Sequence, residues 1–146
     1  MTRVLGNHPV SRQYFKGVYA RDMLPQFPQT FKKSFYVINI DPKHMPGSHW
    51  VVVYFDNGKG FYFDSFGVPP IHRDIIQFLE KASSYRYNDR IIQHVNGITC
   101  GLYCVFVILH LSKGYSIQYV LNSFESNRSY VNDRKIRQWA ASNISF

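Results

Sequence analysis

The run Cys100-Gly-Leu-Tyr-Cys-Val-Phe-Val-Ile-Leu-His-Leu111 is apolar nearly all round and ends at Lys113-Gly114. A helix without a polar face cannot lie on a surface, so this segment has to be the buried axis of a core, with the glycine as its stop. The remainder of the chain must then supply the layers that cover it. With 146 residues, 45% hydrophobic and 17% aromatic, the chain has material for that as one domain spanning residues 1–146. Disorder is not expected, and neither a repeat nor a linker divides the sequence.

The covering elements are predicted from local pattern. Residues 34–40, Ser-Phe-Tyr-Val-Ile-Asn-Ile, are β-branched and aromatic and read as a strand. Residues 50–55 and 60–64 read as two strands of a hairpin, joined by Asp56-Asn57-Gly58-Lys59, because Asn-Gly supplies the positive φ values of a tight turn. After Pro69-Pro70, the spacing of Ile71, Ile75 and Leu79 predicts an amphipathic helix to about residue 83. Residues 90–95 are a further strand candidate. Ser116 is placed to cap a helix carrying Ile117, Val120, Leu121 and Phe124, and a last helix over about residues 133–141 would dock through Ile136, Trp139 and Ala140. Before residue 34, Pro9, Pro25 and Pro28 suggest a loop-rich segment. The sum is an α+β class with a mixed sheet packed on the central helix.

Charge and cysteine content narrow the function classes. The formal charge is +8, from 17 Lys and Arg against 9 Asp and Glu, which can attract nucleic acid or acidic surfaces without sequence preference. The basic residues are scattered apart from Lys32-Lys33 and Arg134-Lys135-x-Arg137, so a groove-reading module is not indicated. No window approaches the roughly 18 apolar residues of a membrane span, and Met1 to Gly6 lacks the core of a secretory signal. An intracellular, soluble, monomeric protein is expected. Cys100 and Cys104 sit four apart on one helix, a spacing unsuited to a disulfide between them and lacking the paired ligands of a zinc site, which would have to recruit His94 or His110. No metal is expected.

Four residues fall where nucleophilic chemistry would need them. His49 opens the first hairpin strand and Asp64 closes the second, so both emerge at one end of the sheet, where a carboxylate could accept the imidazole proton. Cys100 begins the buried helix, whose positive dipole end favours a thiolate. Gln93 lies shortly before it, with an amide that could join the Cys100 backbone N–H in holding an oxyanion, while Gly97 and Gly101 would permit close approach. Each has a plainer explanation: a small buried cysteine, a hydrogen-bonded histidine, an Asx turn ending a strand. Cys104 keeps the plainer explanation, and Trp50 is first a core aromatic that could also pack on His49. The joint placement of nucleophile, base, orienting acid and amide favours a cysteine peptidase.

Gly47-Ser48-His49-Trp50, Phe63-Asp64-Ser65-Phe66-Gly67 and Gln93-x-x-Asn96-x-x-x-Cys100-Gly101-Leu102-Tyr103-Cys104 resemble, in that order, the His, acidic and Gln…Cys motifs of the adenovirus-type protease (adenain) family. The Asp-Ser-Phe-Gly form is most similar to proteases of adenovirus-related viruses and Maverick (Polinton) elements. SUMO-specific proteases resemble it more distantly, sharing the residue order with a shorter Gln-to-Cys stretch. Phe15-Lys16-Gly17-Val18-Tyr19 and Pro25-Gln26-Phe27 are similar to the family's N-terminal segment, so the likeness covers about residues 14–113.

The resemblance implies a papain-like, adenain-like fold and a thiol endopeptidase with His49 as base, Asp64 as third member, Gln93 in the oxyanion hole and Cys100 as nucleophile. It implies precursor proteins as substrates, cut after small residues such as Gly during particle maturation, in the virion and the host nucleus or cytoplasm. No cofactor is implied for the chemistry. An activating peptide or DNA belongs to the family's pattern, although no cysteine precedes Cys100 to take a disulfide-linked peptide. Two other readings stand beside this one: a protease removing ubiquitin-like or SUMO-like modifiers, and an inactive basic module binding nucleic acid or capsid.

Overall fold

The structure is a computed structural model and describes residues 1–94 and 99–144. Its strands are β1 (Phe15–Ala20), β2 (Ser34–Asn39), β3 (Trp50–Asp56), β4 (Lys59–Phe63) and β5 (Ser84–Tyr87). They form one sheet in the order β1-β2-β3-β4-β5. The two outer pairs are parallel and the two inner pairs antiparallel. The helices are α1 (Thr2–Asn7), α2 (Arg73–Leu79), α3 (Cys100–Ser112), α4 (Ile117–Asn122) and α5 (Ser129–Asn143), with a 3-10 turn at Arg21–Met23. The expected α+β class is what is observed.

Strand alternation sorts the core into two layers. Phe35, Val37, Val52, Phe61 and Phe63 point to one face and pack with Tyr103, Val107 and Ile108 of α3. Tyr36, Ile38, Val51, Val53, Phe55 and Tyr62 point to the other and pack with Ile75, Phe78 and Leu79 of α2. Because both faces are covered, every residue of β2 is buried, which is why that strand reads as a continuous apolar run rather than an alternating one. Complete burial of one such aliphatic or aromatic side chain is worth about 1.5–3 kcal/mol. Helix α3 is buried along nearly its whole length, with α1, α4 and α5 against it.

The hairpin forms as its turn chemistry requires. Asn57 and Gly58 have φ of 54° and 79°, and Asp56 pairs with Lys59. Ser116 caps α4 by accepting from the Tyr119 N–H at 3.1 Å. Helix α5 is longer than expected, and Ile136 and Ala140 are buried on it. Helix α2 is shorter: Ile71 is exposed, and after Leu79 the chain turns so that Ser83 N–H and Oγ both bond to Gly58 O.

One expectation needs an addition and another a correction. The N-terminal segment is loop-rich as expected but also contains α1 and the edge strand β1. Gly17, with φ of 120°, sits within the irregular register between Phe15 and Val18 and interrupts the local strand pattern. The fifth strand is Ser84–Tyr87 rather than residues 90–95. β5 is a mostly exposed parallel edge, so it carries no apolar signal. Of the expected strand, residues 90–94 are irregular chain outside the sheet, and Val95 lies outside the described residues. Ile92 is buried there, while Ile91 is exposed. Among the described residues no helix is long and apolar enough to cross a membrane.

Candidate active site

The β3–β4 hairpin brings His49 and Asp64 together, as its length requires: each lies just beyond the paired strand ends, and both are buried. His49 Nε2 meets Asp64 Oδ1 at 2.7 Å. With Nε2 so occupied, Nδ1 is the ring nitrogen left for Cys100. Asp64 Oδ1 also accepts from the Phe66 N–H at 2.8 Å, an Asx-type turn that holds the carboxylate in place. The plainer reading of Asp64-Ser65 as a turn is therefore correct, and the turn serves to aim the carboxylate at His49.

Three neighbours that sequence reasoning did not assign hold this pair. Phe66 stacks on the His49 ring, with centroids 4.4 Å apart and planes inclined by 21°. Trp50, read first as a core aromatic, packs with the core around α3, and the ring that stacks on His49 is Phe66. Asn88 is buried and clamps the Asp64 backbone in both directions: its Oδ1 accepts from Asp64 N–H at 2.9 Å and its Nδ2 donates to Asp64 O at 2.7 Å. Gly67 completes the turn with φ of 71°, and a Cβ there would lie 2.7 Å from Arg90 O, so only glycine fits. Phe66 and Gly67 stood within the Asp-Ser-Phe-Gly motif. Asn88 had no local signal.

Gln93 is fully buried at a bend outside the sheet, not in a strand. Its backbone N–H and that of Ile92 donate to Ser65 O, at 2.8 and 2.9 Å. Its Oε1 accepts from Ser65 Oγ at 2.5 Å. Its Nε2 is buried with no hydrogen-bond partner among the described residues. A buried amide donor left unpaired costs about 1–3 kcal/mol, and such a group calls for an explanation such as a ligand atom that completes it.

Cys100 is the first residue of α3 and lines a cleft of about 370 Å³ together with Met1, Gly47, Ser48, His49, Trp50, Phe66 and Gly101. Gly97 lies outside the described residues. Burial alone would push the Cys100 thiol up. The hydrogen bond and charge of His49, with backbone groups of Trp50 and Gly101, outweigh that and hold it below its ordinary value. His49 shows the reciprocal effect. Burial would lower it, but hydrogen bonds to Asp64 and Cys100 and the negative charge of both raise it to about 9. Both shifts favour a thiolate–imidazolium pair.

Cys104, one turn further along α3, is held far above the ordinary thiol range by burial and by the charge of Cys100 and Asp64. Both cysteines are free. His110 stacks on Phe106, and its Nδ1 lies 2.8 Å from Phe106 O. Among the described residues no group of three His, Cys, Asp or Glu converges as a metal site would require.

No family model matches the chain. It is 38% identical over 89 residues to R355 of Acanthamoeba polyphaga mimivirus, which carries the provisional name of a thiol protease; the match covers 52% of this chain and 29% of that protein. The chain thus spans under a third of the relative's length. Among solved structures, two of ASFV pS273R protease superpose with TM-scores of 0.52 and 0.51 at 19% identity, covering 67% of this chain and 41% and 40% of theirs. The SUMO protease Ulp1 superposes with a TM-score of 0.43 at 20% identity, over 72% of this chain and 50% of that one. The pS273R likeness establishes the α+β cysteine-protease fold expected from the motifs. The resemblance to viral cysteine proteases seen in the sequence is met again in both comparisons.

Proposed function

We propose that the chain is a thiol endopeptidase acting on viral or virus-like precursor proteins at Gly-containing sites. Cys100 is the nucleophile, His49 the base and general acid, Asp64 the residue that orients His49, and Gln93 the oxyanion donor. The observation that carries this reading is the polarised chain Cys100–His49–Asp64, with a 2.7 Å contact between the last two; a Gln93 Nε2 without a partner among the described residues adds to it. A thiol lowered by a neighbouring imidazole supplies an activated nucleophile, and the backbone N–H at the start of α3, with a Gln93 amide that has no partner among the described residues, supplies candidate donors for negative charge on oxygen.

In this mechanism the Cys100 thiolate attacks the scissile carbonyl carbon, and the carbonyl oxygen takes up the negative charge against Gln93 Nε2 and the backbone N–H at the start of α3. Collapse of that intermediate breaks the C–N bond as the His49 imidazolium gives its proton to the leaving amine. A water, deprotonated by His49, then attacks the thioester and releases the new carboxyl end and Cys100. Asp64 keeps Nε2 protonated throughout, so that Nδ1 faces the reaction. The residues need no metal or cofactor for these steps. Gly at the cut rests on the motif resemblance; Gly47 and Gly101 line the cleft without side chains of their own.

The test is cleavage-site profiling on a proteome-derived peptide mixture, together with intact ubiquitin and SUMO conjugates, for wild type and Cys100→Ala. New ends after Gly that vanish in Cys100→Ala are expected. Activity on folded conjugates alone would favour a deconjugating protease, and absence of any hydrolysis by wild type would sink the peptidase reading. The +8 charge supports non-specific DNA as an activator in the virion or the host nucleus or cytoplasm. At low salt, added duplex DNA is expected to raise the rate, and a flat response counts against that role.

A further inference from the structure

The connection between Gln93 and Cys100 has to hold two reacting groups in one geometry, and its described ends are tied to a helix that the mechanism does not use. Asp133 of α5 is buried. Its Oδ2 accepts from the His94 N–H at 3.3 Å, directly after Gln93. Its Oδ1 accepts from Thr99 Oγ1 at 3.1 Å, directly before Cys100, and from Tyr103 OH at 2.7 Å, one turn into α3. The preceding residue, Asn132, is fully buried and donates from Nδ2 to Ile92 O at 3.2 Å, on the other side of Gln93. Gln93 is thus held from one side by Ser65 and from the other by two consecutive residues of α5.

We infer that Asp133 is a positioning residue of the active site: a single carboxylate that spans from the residue after Gln93 to the residue before Cys100 and so fixes the oxyanion donor relative to the nucleophile. This rests on the peptidase reading and extends it to a residue outside the cleft. A purely structural role would need only that α5 be docked on α3, which Ile136 and Trp139 already achieve. Three donors drawn from both sides of the Gln93–Cys100 connection onto one carboxylate define a distance within the site as well. Errors of about 1 Å in such a distance cost on the order of 10²-fold in rate.

Two small probes separate geometry from stability. Iodoacetamide alkylates Cys100 by displacing iodide at carbon, without charge developing on a carbonyl oxygen. p-Nitrophenyl acetate acylates it through an oxyanion, the thiolate forming a thioester as p-nitrophenolate leaves. Both rates at Cys100 are measured by mass spectrometry for wild type, Asp133→Asn, Thr99→Val, Thr99→Ser and His49→Ala, with thermal midpoints alongside. In Asp133→Asn the ratio of acylation to alkylation is expected to fall about tenfold. Thr99→Val, which deletes one bond to the carboxylate, should move the ratio in the same direction, and Thr99→Ser should restore it. A lowered midpoint with a wild-type ratio in both Asp133→Asn and Thr99→Val would make Asp133 a stabilising residue only and overturn the inference. Should Asp133→Asn not fold, the Thr99 pair decides. An unchanged alkylation rate in His49→Ala would overturn the peptidase reading itself, and the inference with it; slowed alkylation there with unchanged ratios elsewhere overturns the inference alone.

Discussion

Cys100 and Cys104 stand one turn apart on the same buried helix, and their thiols are driven in opposite directions. Cys100 is 8% exposed and its thiol is held down; Cys104 is 1% exposed and its thiol is held far up. Burial penalises the thiolate at both positions. The difference is that Cys100, at the helix start, meets His49 from the neighbouring hairpin, whereas Cys104, a turn deeper, meets apolar core and the negative charge of Cys100 itself. One turn of helix separates a thiol paired with an imidazole from one enclosed by core, and the partner rather than the residue type sets which way each is driven.

The strongest way to break the contrast is to remove that partner. His49→Ala should lower hydrolysis by about 10²- to 10⁴-fold and slow Cys100 alkylation toward the inertness of Cys104. Peptide hydrolysis and alkylation followed by mass spectrometry check this; an undiminished alkylation rate would contradict the pairing of Cys100 with His49 and with it the peptidase reading. Gln93→Ala should lower acylation of Cys100 by about 10²- to 10³-fold while leaving iodoacetamide alkylation near wild type, because only the first reaction develops an oxyanion. Equal loss in both assays would make Gln93 structural.

A pH series sharpens the comparison further. The reactive form is thiolate with imidazolium, so hydrolysis should rise as pH climbs through the lowered value of Cys100 and fall as pH passes about 9, where His49 loses the proton it must give the leaving amine. A kcat/KM profile that keeps rising beyond that point would contradict the ion pair. The smallest effect belongs to Cys104: Cys104→Ala should leave Cys100 chemistry unchanged and cost about 1 kcal/mol in a denaturant melt, the usual scale for a point change in a core. A large change in Cys100 reactivity would mean that the two thiols are coupled more closely than their surroundings suggest.

How legible each part was follows from how local its cause is. The hairpin was legible because Asn57-Gly58 specifies its turn, and with it the pairing of strand ends that places His49 beside Asp64. Helix α3 was legible because a segment apolar on all sides has only one place to go. β1 and β5 were not, because each joins the sheet as a parallel edge strand, an arrangement fixed by distant partners and written in half-exposed, mixed residues. Residues 90–94 have strand-like composition, yet their backbone groups are taken by Ser65, Asn132 and Asp133 instead of a sheet neighbour. Phe66 on the His49 ring, Asn88 on the Asp64 backbone and Asp133 on Thr99 were likewise invisible, since hydrogen bonds and ring contacts across 17, 24 and 34 positions leave no periodic trace.

The sequence by itself determined which residues could carry chemistry and the order in which they occur: a cysteine heading an apolar helix, a histidine and an aspartate at the ends of a tight hairpin, and a glutamine ahead of the cysteine. Only the tertiary structure decided their protonation and their orientation. Those depend on which carboxylate, ring or amide lies within about 3 Å, and on how much water the packing excludes, and both are set by contacts between segments far apart in the chain.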